Sequence, residues 1–342
     1  MHGGNVYEFA LKYNIDLSKI LDFSANMNDF ITVKNLFINK GYIEHYPESN
    51  LEEYKKILAG SDFSINNITM VSGLTSFIHL YMNSIKGNSL IISPSFTEYI
   101  KSNTSGNKIL LPFNAINKNP EMIKNYNYET LFLVYPDSPT GQMMNEDSIH
   151  SIIETSMKKN STIFIDESFI WFVNNRKINE KEMIEKYNNV IIGRSLTKVL
   201  SIPGLRLGYV LSNSDTISEI EKTLEPWRIN QGALLYLQNY MPHFSGLGKK
   251  IEIERKYLIK SLEKQNFTLI GKPQANYITF KLPENINGEK LMSFLATRNI
   301  MIRLLDDYCD FGSNYIRINV KRRIKNRILV KNIKGYLGDA ID

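Results

Sequence analysis

The chain has 342 residues, 43% of them hydrophobic and 22% charged, with 41 Lys and Arg against 35 Asp and Glu for a net charge of +6. That length suits two unequal lobes with a site between them, and the composition excludes disordered and fibrous classes, while the lack of any stretch of about 18 apolar residues excludes a membrane-spanning helix. A single cysteine, Cys309, excludes a disulfide framework and a zinc cluster of paired cysteines, which points to a reducing compartment, the cytoplasm.

The opening His2-Gly3-Gly4, followed by charged residues, is neither a signal peptide nor a membrane anchor. Residues 1–40 contain no independent core and read as an N-terminal arm, docked on the rest, and part of the small domain. Short apolar runs at Ser89–Ser93, Leu131–Tyr135, Thr162–Asp166 and Asn189–Gly193 are rich in Ile, Val, Leu and Phe, as strands buried on both faces are. Between them lie helical patterns such as Glu146–Lys159, which starts at an acidic turn. That alternation predicts an α/β domain over residues 41–235 with a mostly parallel central sheet, whose ligands sit at the carboxyl ends of the strands.

After Leu235 the pattern changes to a long helix through Lys249–Lys264 and alternating strands at Tyr277–Leu282 and Tyr315–Val320. Alternation implies one wet face, hence a smaller α+β domain over residues 236–342. The basic run Lys321, Arg322, Arg323, Lys325 and Arg327 reads as a solvated helix face and not a nucleic-acid surface, since no aromatic residues interleave with it. Neither a nucleic acid nor a membrane is expected as partner; a modest positive charge suits a small anionic substrate.

The chemistry concentrates in Arg194-Ser195-Leu196-Thr197-Lys198, where a buried run ends in hydroxyls and a lysine on a loop. Pro203-Gly204-Leu205-Arg206-Leu207-Gly208-Tyr209 then returns a second cation on a glycine-flanked turn. A phosphate held by Ser195, Thr197 and Arg206 beside a lysine poised for covalent catalysis is the chemistry this implies. Asp166 ends an earlier buried run, and Gly73-Leu74-Thr75 is a glycine turn opening a helix, where backbone N–H groups cradle anions.

Ser-x-Thr-Lys followed by Gly-Leu-Arg-Leu-Gly-Tyr resembles the cofactor-lysine signature of the class I and II aminotransferases, of aspartate-aminotransferase-like fold. The resemblance implies pyridoxal 5'-phosphate carried on Lys198, with Asp166 on its pyridine nitrogen so that the ring acts as an electron sink. Gly73, Leu74 and Thr75 would form the phosphate cup, and Phe96 or Tyr99 would stack on the ring. Ser138, in Pro136-Asp137-Ser138-Pro139-Thr140-Gly141, stands where the family has an asparagine that bonds the ring hydroxyl, and Phe169 stands where many members have a tyrosine. Tyr46-Pro47-Glu48 resembles the family's Tyr-Pro-Asp, whose tyrosine reaches the cofactor phosphate of the neighbouring subunit, which implies a homodimer.

His2-Gly3-Gly4-Asn5, Leu21–Asn26, Ser201–Arg206, Pro226-Trp227 and Ile229-Asn230 resemble, within that family, the L-threonine-O-3-phosphate decarboxylases of cobalamin biosynthesis, with histidinol-phosphate aminotransferases as near relatives. On this resemblance Arg303 and Arg317 grip a doubly anionic substrate, either one taking carboxylate or phosphate, and His2, Gly4 and Asn26 close the pocket. The implied reaction turns L-threonine O-3-phosphate into (R)-1-aminopropan-2-yl phosphate and carbon dioxide. The alternatives are transamination of histidinol phosphate or another amino acid, and decarboxylation of L-serine O-phosphate, which one methyl group separates by only about 1 to 3 kcal/mol. Three residues depart from the relatives: Leu304 for an Asp, Tyr135 for an Asn, and Arg228 for a small residue, the last an additional cation near the pocket.

Overall fold

Seven strands form the principal sheet in the order β2-β8-β7-β6-β5-β3-β4. They are β2 (Ile68–Val71), β3 (Ser89–Ser93), β4 (Lys108–Pro112), β5 (Thr130–Val134), β6 (Thr162–Asp166), β7 (Val190–Ser195) and β8 (Gly208–Leu211). All neighbours pair in parallel except β8, which runs antiparallel to both β2 and β7. The structure is a computed structural model that describes residues 3–339 other than 103, 177, 242, 243 and 309. Every residue of β2, β3, β5, β7 and β8 is buried, as expected of a sheet covered on both faces. One helix, Leu74–Ser84, lies so close on the sheet that a Cβ at Gly193 would come within 2.8 Å of Leu74 Cδ1 and 2.7 Å of Phe164 Cζ.

Beyond this sheet, β9 (Thr268–Ile270), β10 (Tyr277–Lys281), β12 (Arg303–Leu304) and β13 (Tyr315–Asn319) form an antiparallel sheet in the order β12-β13-β10-β9. The N-terminal segment reaches this lobe: β1 (Leu21–Asp22) pairs in parallel with β11 (Ile300–Met301), and Phe9 of helix Val6–Tyr13 packs with Ala296 and Met301.

Two expectations need correction. Neither β10 nor β13 has a wet face; each is buried along almost its whole length. Helix Leu247–Glu263 packs on one side, and the other meets the large lobe and the N-terminal segment: Tyr277 Oη donates to Asp137 O (2.6 Å), Thr279 Oγ1 to Pro139 O (2.7 Å), and Asn319 Nδ2 to Met27 O (2.9 Å). The basic run after β13 is likewise not wholly solvated. Lys321 is buried over the Phe23 ring, Lys325 pairs with Asp29, and Arg323 bonds Glu254 at 2.9 Å, because buried carboxylates from the arm and the long helix recruit these charges.

Candidate active site

The carboxyl ends of the parallel strands and the start of β8 open on one cavity of about 400 Å³. Its inner end gathers groups that suit an anion. Gly73, with φ +78°, caps helix Leu74–Ser84, and Leu74 and Thr75 of the first turn line the cavity. Ser195 Oγ and Thr197 Oγ1 lie 2.7 Å apart beside them. Arg206, held at φ +50° after the turn Pro203–Leu205, lays its guanidinium against Gly73, where a Cβ would sit 2.6 Å from Nη2. Only glycine lets cation and helix terminus share one anion.

Asp166 terminates β6 behind this pocket, nearly inaccessible, and accepts from Ser168 Oγ (2.6 Å), Ser168 N (2.9 Å) and Tyr99 Oη (2.8 Å). Burial pushes its carboxyl above the usual range while those bonds pull it down. Such a carboxylate is suited to a protonated ring nitrogen. Phe96 lines the cavity, whereas Tyr99 is fully buried behind it and reaches the site only through Asp166.

Lys198 lies on the single helical turn Leu196–Val199 and not on an open loop, because the chain turns back at the strand end. Its Nζ donates to Ala25 O at 3.1 Å. Burial, reinforced by Arg317 and Arg206 and opposed by Asp22, brings the amine down to about 8. A lysine so placed is a nucleophile near neutral pH.

The outer end carries the two arginines that sequence reading picked out. Arg303 and Arg317 are direct partners across β12 and β13, and both line the cavity. Like charges opposite each other in an antiparallel pair repel, so this rung is built for anions. Arg317 Nη2 donates to Ser24 O at 3.1 Å, and with the Asn26 amide turned so that its oxygen faces the guanidinium, that oxygen accepts from Nε and Nη2 at 3.2 and 3.3 Å. Its Nη1 lies 3.5 Å from both Ser138 Oγ and Tyr308 Oη. Arg303 instead holds Asp307, with Nη2 at 2.6 Å from both carboxylate oxygens.

Of the remaining expected residues, Ser138 and Phe169 line the cavity, and Gly4 N donates to Ser24 Oγ at 2.8 Å while Gly3 provides the lining. His2 lies outside the described residues. Tyr46 stands apart from the cavity, 77% exposed and stacked on Trp227 with ring centroids 4.4 Å apart. Arg228 is no pocket cation: it bonds Met70 O, Thr69 and Glu221 behind β2, the Glu221 carboxylate neutralising it there. Tyr135 and Leu304 are buried, and neither lines the main cavity.

Sequence reading missed Ser168, Asp307 and Tyr308. Ser168 follows Asp166 at the spacing of a side chain bonding a backbone N–H two residues on, a readable signal. Asp307 and Tyr308 sit in the connection between the arginine strands, where only an i, i+4 Arg-Asp spacing hinted at a pair. Asp137 was noticed only within a motif; burial raises its carboxyl to about 7 against bonds from Thr140 and from Gln142 N, and it fixes the turn on which Ser138 stands.

The sequence profile of "Aminotransferase class I and II" matches residues 66–333. The threonine-phosphate decarboxylase of Salmonella typhimurium is 25% identical over 98% of this chain and 96% of its own. The L-serine phosphate decarboxylase of Sulfurospirillum multivorans is 26% identical over 88% of this chain and 81% of its own. In three dimensions the histidinol-phosphate aminotransferase of Clostridium acetobutylicum superposes with a TM-score of 0.78 at 24% identity, covering 93% of this chain and 99% of that one.

Proposed function

Because the chain belongs to the class I and II aminotransferases, a family of pyridoxal-phosphate-dependent enzymes, we propose that it decarboxylates a phosphorylated amino acid, L-threonine O-3-phosphate, to (R)-1-aminopropan-2-yl phosphate and carbon dioxide in cobalamin biosynthesis. The observation that carries the reading is the Arg303–Arg317 rung facing into the cavity. Two arginines lining one cavity from opposed strand positions match a substrate with a carboxylate and a phosphate. Histidinol phosphate offers one anionic group, and its imidazole would have to share about 400 Å³ with the cofactor.

The site fits the cofactor on its own donor set. Thr75 and the helix terminus, Ser195, Thr197 and Arg206 would take the phosphate, Asp166 the ring nitrogen, Phe96 a ring face and Lys198 the aldehyde carbon. Pyridoxal phosphate supplies a sink for the electron pair left on the substrate α-carbon. The protein would decide which bond breaks: the arginines would hold the substrate's two anionic groups so that its α-carbon–carboxylate bond is the one presented for cleavage to carbon dioxide, and the Lys198 amine is placed to return a proton to that carbon. Arg317 and Asn26, tied to each other, set that orientation.

Exposed apolar residues within one short segment, Phe37, Ile43 and Tyr46 at 88, 73 and 77%, support a homodimer in which Tyr46 is contributed across the interface. The lone cysteine supports a cytoplasmic setting. The test is carbon dioxide release from L-threonine phosphate by cofactor-loaded enzyme without a keto acid, with Lys198→Ala as control. Release that vanishes in the control supports the reading. Conversion to the aminated cofactor without release moves the assignment to an aminotransferase, and faster release from L-serine phosphate moves the substrate.

A further inference from the structure

The two arginines of the rung are not equivalent. Arg317 is held by neutral acceptors, Ser24 O and the side chains of Asn26, Ser138 and Tyr308. Arg303, equally buried, is matched by a carboxylate of its own chain, Asp307. The contact is lopsided: one nitrogen, Nη2, meets both oxygens at 2.6 Å. A guanidinium pairs best through two parallel N–H···O bonds. Asp307 therefore occupies Arg303 without using its fork.

We propose that Asp307 is a resident counter-ion that fills the phosphate seat on Arg303 and yields it only to a dianion, so that it sets the charge a substrate must carry. The proposal rests on the reading that the substrate is a phosphorylated amino acid, and it decides what sequence left open: Arg303 takes the phosphate and Arg317 the carboxylate. A carboxylate brings the same single charge as Asp307 and must compete with a group tethered four residues away, at high effective concentration. A phosphate brings up to two charges and an oxygen geometry that fits the fork. The displaced carboxylate has somewhere to go. Asp307, its side chain 22% exposed, also lines a second, open pocket with Thr97 and Lys101, which shares Tyr308 with the main cavity. Amino acids without a phosphate can satisfy Arg317 but leave Arg303 closed.

The test is calorimetric titration of the cofactor-loaded enzyme with inorganic phosphate and with acetate, comparing wild type, Asp307→Asn and Asp306→Asn. Asp306 is exposed one residue away, so its loss removes the same charge without touching Arg303. Removing a competing charged hydrogen bond of about 1.5 to 3 kcal/mol predicts phosphate binding tighter by roughly tenfold or more in Asp307→Asn. A second acetate site, beyond the one Arg317 offers in the wild type, should appear with it, and Asp306→Asn should change by less than about twofold. Unchanged or weaker phosphate binding in Asp307→Asn, or equal tightening in Asp306→Asn, overturns the proposal. If Asp307→Asn does not fold, Asp307→Ser carries the same comparison. Because no turnover is measured, failure of the decarboxylase reading would show in carbon dioxide release and not here.

Discussion

Replacing Lys198 by Met should make the cofactor-free protein more stable at neutral pH, although it removes the residue proposed to carry the cofactor. The amine falls from 10.5 to about 8 in the folded protein, chiefly through burial. A lysine whose folded pKa lies below its unfolded value favours the unfolded chain wherever it must be charged. The penalty is therefore complete below about pH 8, shrinks as pH rises, and vanishes above about pH 10.5, where both states are neutral. One pKa step corresponds to about 1.4 kcal/mol, so the drop is worth roughly 3 kcal/mol at pH 7. Urea unfolding of cofactor-free wild type and Lys198→Met at pH 7 and near pH 10 reads it directly. The variant should gain roughly 3 kcal/mol at pH 7 and lose most of that advantage near pH 10. No gain at pH 7, or a gain independent of pH, would refute the argument, the second because it would reflect only added apolar burial.

Gly73→Ala puts a Cβ at a positive φ and 2.6 Å from Arg206 Nη2; a strain of about 1 to 3 kcal/mol should weaken cofactor retention roughly ten- to a hundredfold, read by dialysis and the visible spectrum. Tyr99→Phe removes the 2.8 Å bond that lowers the Asp166 pKa, so kcat should fall about tenfold while the spectral titration assigned to the cofactor ring shifts. Arg317→Gln should cut kcat/KM for L-threonine phosphate by about a hundredfold, since it deletes a charge-assisted contact of roughly 3 kcal/mol. Tyr46→Ala should leave the fold intact, because the side chain is exposed and touches Trp227, but on the proposed dimer should lower cofactor affinity; sedimentation and cofactor titration together check this.

The large lobe was legible because its strands are continuous apolar runs buried on both faces, so β3 and β6 match their expected limits and β5 and β7 shift by a residue or two. The inner end of the cavity was legible for a related reason: its residues lie within a few positions of strand ends, where local sequence dictates geometry. The outer end was harder. Arg303 and Arg317 were found, but their direct opposition depends on strand register, which two short segments separated by a connection do not reveal. Asp307 and Tyr308 lie in that connection, and Arg228 was misplaced because a cation beside an aromatic reads the same whether it faces a cavity or a buried glutamate. The wet face assigned to β10 and β13 failed because alternation records side-chain character, whereas the second face is covered by the other lobe.

The hairpin that joins Arg303 to Arg317 also separates two tasks within the chain. Lys198, Asp166, Arg206 and the helix terminus at Gly73 lie on or beside the large sheet, at the proposed cofactor end, while Arg303, Asp307, Tyr308 and Arg317 fall within the single stretch 303–317. Such a stretch is a portable cassette. A lineage, or a protein engineer, could exchange it for a hairpin of different charge and length and redirect the enzyme to a new amino acid while the catalytic half remained as it is.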